Sequence, residues 1–324
     1  MSTEFYFMRT PQLHGGPGSF QSRLETELST LGCLIYHHKK FRFDRIGNII
    51  VFSSTKHLLF LIYQKLIGSK IILRLDGLNK KHRYNNASYL LYVYSELDNL
   101  LSACIANFLS DTIIYQSEYV KKCWEKSWIK FKRKSYVVYN GVNIESYAAR
   151  SGEPKVSDVK ICVVEGAIDD FVGVKILNSL AYRVDVYSAI AENIRNQINN
   201  DNVRLIGLVN REVMPKLLTE YNVFLLLEVN PACPNSLIEA MAAGLIPVGF
   251  RTGSVGEILG ETDVFMADYG SNSEKYEMPN LNSLNAYIEK AIASASASQI
   301  YRARADTFFN IKTVAQRYIE IVKG

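Results

Sequence analysis

Residues 229–257 read VNPACPNSLIEAMAAGLIPVGFRTGSVGE, and their reading decides the fold. A strand-like run at 223–227 enters this stretch through a loop that holds Pro231 and Pro234. Asn235 or Ser236 then offers a side-chain oxygen for an orphan backbone N–H, which predicts a capped helix over 236–244. Glu239 falls in the first turn of that predicted helix, where the macrodipole favours a carboxylate. The free N–H groups of such a helix start could hold a diphosphate. Ala240, Ala242, Ala243 and Gly244 are small and allow close packing, residues 246–250 read as the next strand, and Gly253 and Gly256 make a second turn. The plain alternative is a capped helix between two turns with no ligand at all.

Working outward, short β-branched or aromatic runs recur at 5–9, 33–37, 48–53, 70–75, 111–116 and 135–139. Helical spacing of apolar residues separates some of them, at 19–31 and 56–67. The alternation predicts a parallel sheet with helices on both faces. It breaks at 145–158, where Gly152, Pro154 and three serines read as a linker. Strand-like runs resume at 159–164, 184–187, 203–206, 223–227 and 246–250, with helices predicted at 171–181, 189–199, 211–220 and 236–244 and a helical tail. The expected organisation is an N-terminal domain over 1–150, a second over 151–305, and a helix over 306–324 that crosses back to the first. Both domains would be doubly wound and Rossmann-like, facing across a cleft. Ligands of such sheets bind beside helix starts at the carboxyl ends of strands.

Composition fits this picture and excludes others. Of 324 residues, 48% are hydrophobic and 21% charged, enough for two packed cores. Five scattered cysteines without a C-x-x-C pair predict neither a disulfide framework nor a zinc site, and a reducing compartment. Glu4, Arg9 and a glycine-rich turn stand where a signal peptide would be apolar, and no run approaches the ~20 apolar residues of a membrane span. These features predict a cytoplasmic protein. Charge is uneven: residues 1–150 hold 21 Lys+Arg against 11 Asp+Glu, and the remainder is net acidic. The N-terminal half is therefore expected to meet something anionic, unless its surface is merely solvated.

The run CPNSLIEAMAAGLIPVGF at 233–250, followed by TGSVGEI, resembles the donor-site signature of family 4 glycosyltransferases, retaining enzymes of GT-B fold. His14–Gly18, HGGPG, resembles their N-terminal glycine loop, Asn140-Gly141-Val142 the close of their first domain, and Gly207-Leu208-Val209 the turn before their donor-binding helix. The resemblance implies a glycosyltransferase (EC 2.4) that takes a sugar from a nucleotide diphosphate sugar to a glycan or lipid-linked glycan. Cell-surface polysaccharide or lipopolysaccharide biosynthesis is the implied setting. It further implies front-face displacement, no metal and no cofactor besides the co-substrate. Glu239 matches the acid that contacts the nucleotide ribose. Gly15, Gly16, Asn235, Ser236 and Leu237 match backbone positions near the donor.

Two departures from the family pattern stand out. The partner acid expected eight residues before Glu239 is Pro231, with Glu228 the nearest carboxylate. The Arg and Lys expected after the first strand of the second domain are missing from Val164-Glu165-Gly166-Ala167-Ile168-Asp169-Asp170. Losing such a cation weakens stabilisation of the leaving diphosphate, by analogy with ~3 kcal/mol for one oxyanion donor. Lys175 and Arg251 are the candidate replacements. These departures keep two alternatives open: an inactive GT-B scaffold or partner subunit, and a GT-B sugar-nucleotide epimerase. The second alternative lacks histidines in the C-terminal domain.

Three further readings concern the N-terminal half. Gly15 and Gly16 permit close backbone approach to a ligand or form a tight turn. Asp76, ending the fourth strand, is the candidate for orienting an acceptor hydroxyl, or else it pairs with Arg74 or caps the next helix; His82 is a lesser acceptor candidate. Residues 118–134, EYVKKCWEKSWIKFKRK, carry Lys121, Lys122, Lys126, Lys130, Lys132, Arg133 and Lys134, with Trp124, Trp128 and Phe131 on one face of a predicted helix. That pattern suits a peripheral contact with an anionic membrane at its inner face. The other reading puts the aromatics in the core. No nucleic-acid module is legible.

Overall fold

A computed structural model describes residues 3–11, 16–37, 46–80, 88–127, 130–148, 159–294 and 298–324. The chain divides into two compact units, Met1–Gly141 with Ile311–Gly324, and Val142–Asn310.

The first unit is a six-stranded parallel sheet. Its strands are β1 (Glu4–Phe7), β2 (Leu34–His37), β3 (Asn48–Phe52), β4 (Lys70–Leu75), β5 (Thr112–Tyr115) and β6 (Lys134–Val137), in the order β2-β1-β3-β4-β5-β6. Ile49, Ile50, Ile71, Ile72 and Ile113 are fully buried, because helices cover both faces. Four helices connect the strands: α1 (Gly16–Thr30), α2 (Leu58–Leu66), α3 (Tyr89–Cys104) and α4 (Glu118–Lys126). α3 runs on as a π-helical turn, Ile105–Leu109. The sequence gives no hint of α3, because its buried residues are Ser95, Asn99, Ser102 and Ala103 rather than an apolar stripe.

The second unit repeats the plan. Its strands are β7 (Ile161–Ile168), β8 (Val184–Ile190), β9 (Val203–Leu205), β10 (Val223–Leu225), β11 (Ile246–Phe250) and β12 (Met266–Ala267), in the order β12-β11-β10-β7-β8-β9. Its helices are α5 (Phe171–Asn178), α6 (Glu192–Arg195), α7 (Met214–Leu218), α8 (Asn235–Ala242), α9 (Val255–Leu259), α10 (Leu281–Ala293) and α11 (Ser298–Phe309). The helix expected at 189–199 shrinks to α6, because β8 continues to Ile190 in register with Ile168 of β7. α11 packs on α8, whose Ala240, Ala242 and Ala243 are buried.

The last helix, α12 (Ile311–Lys323), belongs to the first unit. Ile311, Val314, Tyr318 and Ile319 join Phe20, Leu24 and Leu28 of α1 and Phe5, Phe7 and Ile50 of the sheet in one apolar cluster. Lys70 ties the helix down by donating to the carbonyls of Ile321 and Val322, at 3.0 and 2.9 Å. The unit boundaries fall at 141/142 and 310/311, against the expected 150/151 and 305/306.

Candidate functional site

In a doubly wound sheet the ligand crevice opens where the strand order reverses. In the second unit that point lies between β7 and β10. Glu165 projects from β7, and Glu228 follows β10. Glu165 is half-buried, and its Oε1 is shut off from solvent without a hydrogen-bond partner. Burial first, then the negative charges of Glu228 and Asp170, push its carboxyl up to about 8; hydrogen bonds from the backbone N–H groups of Leu227 and Glu228 pull the other way. The acidic pair is therefore pushed toward holding a proton near neutral pH. Sequence reading registered the missing cations here but not this acidic pair, because the pair depends on two strands meeting at the reversal.

The loop after β10 is locked to the loop after β11. Asn230 adopts φ 54° and its N–H donates to Thr252 Oγ1 at 3.0 Å. Ser254 N–H donates to the Pro231 carbonyl at 2.9 Å. A Cβ on Gly253 would stand 2.5 Å from Pro231 N, so only glycine fits that crossing. Pro231, at the place of an expected acid, is thus buried and serves as a structural hinge-pin between two loops.

α8 starts from this loop, and the expectation of a side-chain cap is corrected. Pro234 occupies the cap position, where it offers no side-chain acceptor, and Asn235 is the first helical residue. Proline suits that place, since its fixed φ leads into the helix and its own N–H is not needed. The backbone N–H groups of Asn235, Ser236 and Leu237 have no intrahelical acceptor. Glu239 is the fifth residue of α8, one position further in than the sequence suggests, and is half-buried, while Leu237 is fully buried, so any ligand contact at Leu237 is through its backbone.

The two candidate replacement cations are both engaged. Lys175, exposed on α5, holds its ammonium 5.0 Å from the centre of the Phe171 ring. Arg251, at the end of β11, pairs with Asp263 at 2.9 Å. Asp170 caps α5 by accepting from Gly173 N–H at 2.7 Å.

The first unit reverses strand order between β1 and β3. Arg74, only 1% exposed, sits at the carboxyl edge of β4. Its guanidinium pairs with Asp76, donates to Gln116 and Asn140, and lies over the rings of Phe20 and Phe52, 4.6 and 5.3 Å from their centres. Asp76 also accepts from Ser53 Oγ at 2.9 Å and Gln116 Nε2 at 3.3 Å, and its carbonyl accepts from Trp124 Nε1 at 3.1 Å. Of the alternatives open for Asp76, the pair with Arg74 forms, whereas Ser88 caps α3. Asn140, of the Asn-Gly-Val motif, is a buried member of this network. Arg9 joins it from β1: it donates to Gln21 at 3.0 Å and stands 4.8 Å from the Phe52 ring centre. Gly16 begins α1, and Gly15 and His82 lie outside the described residues.

The basic segment departs from its expected form. α4 ends at Lys126, so residues 118–134 are not one helix. Trp124 is buried and packs on Phe131 at 5.6 Å; Trp128 lies outside the described residues. Lys122, Lys126, Lys130, Lys132, Arg133 and Lys134 are exposed, with Lys121 half-buried beside Glu118.

Comparison with known proteins bears on both units. Residues 174–276 match the family model described as "Glycosyl transferases group 1". Sucrose-phosphate synthase from Thermosynechococcus elongatus superposes with TM-score 0.75 at 12% identity, over 99% of this chain and 98% of that one. Anabaena HepE in complex with UDP follows at TM-score 0.70 and 14% identity, over 100% of each chain. A glycosyltransferase from Rickettsia africae gives 0.69 and 13%, over 99% and 98%.

The chain is a glycosyltransferase of GT-B fold.

The group 1 match of this glycosyltransferase lies wholly in the second unit and takes in α8, Glu228 and Arg251, but not Glu165. Among curated proteins no sequence matches it.

Proposed function

We propose that this glycosyltransferase is a retaining family 4 enzyme that moves a sugar from a nucleotide diphosphate sugar to a hydroxyl of a glycan or lipid-linked glycan, in cell-surface polysaccharide or lipopolysaccharide synthesis. The observation that carries the reading is the start of α8 at the carboxyl edge of the second sheet, where the first backbone N–H groups have no intrahelical acceptor and can meet a diphosphate. The Anabaena HepE structures with UDP and with UDP-glucose support a nucleotide sugar as donor. Asn235, Ser236 and Leu237 hold the diphosphate through their backbones, with Gly15 and Gly16 as the glycine loop. Glu239 accepts from a ribose hydroxyl, and Lys175 and Arg251 supply cations. Asp76, with His82, positions the acceptor hydroxyl. In a front-face step the anomeric carbon–phosphate oxygen bond breaks, the bond to the acceptor oxygen forms, and the acceptor proton goes to the leaving phosphate. The step draws on no metal or cofactor. The protein works in the cytoplasm, at the inner face of the membrane where its acceptor is held.

Titration calorimetry with UDP tests the core of this reading. Glu239→Gln keeps the size but removes the charge-assisted acceptor. Hydrogen bonds to charged groups contribute about 1.5–3 kcal/mol, so affinity is expected to fall roughly ten- to a hundredfold. Unchanged affinity would reduce Glu239 to an ordinary helix residue. UDP binding that needs Glu239, with no transfer to any acceptor, favours the partner-subunit alternative, which the acidic pair Glu165–Glu228 in place of cations also favours.

A further inference from the structure

α3 is built inside out. Ser95, Asn99, Ser102 and Ala103 face the first unit's interior, while Leu90, Tyr94 and Leu97 point outward, 68%, 69% and 55% exposed. The spacing i, i+4, i+7 places these three on one stripe. Polar bonds pin this rotation: Asn99 accepts from Asn79 N–H at 3.2 Å and donates back to its carbonyl at 3.1 Å, and Asp98 accepts from Ser54. α2 presents the same pattern. Leu59 and Leu66, 84% and 81% exposed, share its outer face with Ile62 and Tyr63. α2 packs against the π turn that ends α3, where Phe108 is 74% exposed. Among the described residues, twelve of the 23 large exposed apolar side chains fall between Leu59 and Phe108. Scattered single apolar residues need no explanation, but a contiguous face of this kind marks an interaction surface.

We propose that this α2–α3 face is the surface by which the enzyme lies on an anionic lipid bilayer. Charge selects the occupant. The stripes carry no charge of their own, and Glu96 and Asp98 flank that on α3. Basic residues adjoin the face: Arg133 donates to the carbonyl of Asn107, next to Phe108, and the exposed Lys56 lies just before α2. Lys130 and Arg133, both exposed, line a cavity of about 310 Å³ with Tyr115, Glu125, Phe131 and Ser135. Residues 1–150 are net basic, so an anionic surface attracts the half of the chain that bears this face. Four tyrosines of the face, Tyr63, Tyr89, Tyr92 and Tyr94, each pair an apolar ring with a hydroxyl, the chemistry favoured at the water–lipid boundary. Among the described residues no helix is long and apolar enough to cross a membrane, so the contact is lateral. The proposal rests on the reading that the enzyme works at the inner face of a membrane, and it is independent of the donor reading, since its observations are surface residues of the first unit alone.

Co-sedimentation of the full chain with vesicles of phosphatidylcholine, with and without 30% phosphatidylglycerol, tests it. The wild type is expected to bind the anionic vesicles at least tenfold more tightly, with binding weakened by salt as the Debye length shrinks to ~3 Å at 1 M. Leu90→Glu with Leu97→Glu, and separately Leu59→Glu with Leu66→Glu, should each abolish binding while leaving UDP affinity unchanged. These side chains are exposed, so the fold is expected to survive both changes. Lys130→Glu with Arg133→Glu should lower affinity tenfold or more and flatten the salt dependence. Equal binding to both vesicle types, undiminished binding of the leucine variants, or a concentration-dependent dimer that those variants dissolve would each overturn the proposal, the last in favour of a second copy.

Discussion

The two switch points handle charge in opposite ways. At the edge of the first sheet a fully buried cation, Arg74, is surrounded by acceptors and held between aromatic rings. At the edge of the second sheet burial and the neighbouring Glu228 push a half-buried carboxyl, Glu165, toward its protonated form. Both edges also hold a non-glycine residue with left-handed φ, Ser53 at 55° directly past β3 and Asn230 at 54° in the loop that follows β10. Such backbone conformations cost energy and persist only when neighbours enforce them. One frame, used twice, therefore gives a neutralised cationic edge and a proton-holding acidic edge, and the difference lies in a few strand-end residues.

The largest expected effect comes from breaking the first edge. Arg74→Met leaves Asp76 without its counter-ion and should cost about 3–5 kcal/mol, the range for removing one partner of a buried pair. In urea denaturation the first unit should lose stability by that amount. Hydrogen exchange should speed up in β3–β6 while β7–β11 keep their protection. Uniform loss across both units would show that the two edges are not energetically separate.

The second edge is probed by pH. A carboxyl with a folded pKa near 8 and an ordinary unfolded value binds more protons when folded between those limits. Its stabilising contribution is therefore full below the unfolded pKa and is lost as pH rises through the folded value. The second unit should melt at lower temperature at pH 9 than at pH 6. Glu165→Gln, neutral throughout, should flatten that dependence by removing this group's share. A slope unchanged in the variant would mean that Glu165 is ionised at neutral pH.

The smallest effect is expected at Arg251, whose side chain is about half exposed in its pair with Asp263. Such pairs contribute about 0–1 kcal/mol, so Arg251→Ala should shift the melting temperature by no more than a few degrees. A tenfold loss of UDP affinity in the same variant would show that Arg251 leaves Asp263 to meet the donor. Unchanged affinity would leave the acidic edge without a cation from β11.

How far the sequence carries depends on where the information resides. β4 and β11 run over 70–75 and 246–250 as read, because short, largely apolar runs bounded by turn residues admit few alternatives. α8 is legible for a related reason, a proline-led start and a small-residue face, although its cap is not. α3 escapes because periodicity arguments assume that the apolar stripe faces the core, and here Leu90, Tyr94 and Leu97 face out. Trp124 misleads in the converse way: in a lysine-rich run it reads as interfacial, yet its indole is buried and donates to Asp76. The pair Glu165–Glu228 spans 63 positions and comes together only through the strand order β10-β7, which no local pattern encodes.

The placement of α12 has a consequence for how the chain is made. The second unit is continuous in sequence, whereas the first needs Ile311, Val314 and Tyr318 to complete its apolar cluster. During synthesis, which proceeds from the N-terminus, the unit translated first must wait while residues 142–310 are produced and can already collapse. Until α12 emerges, Phe20, Leu24 and Leu28 lack part of their cover. That interval gives a chaperone its target, and shortening the chain before residue 311 would prolong it indefinitely.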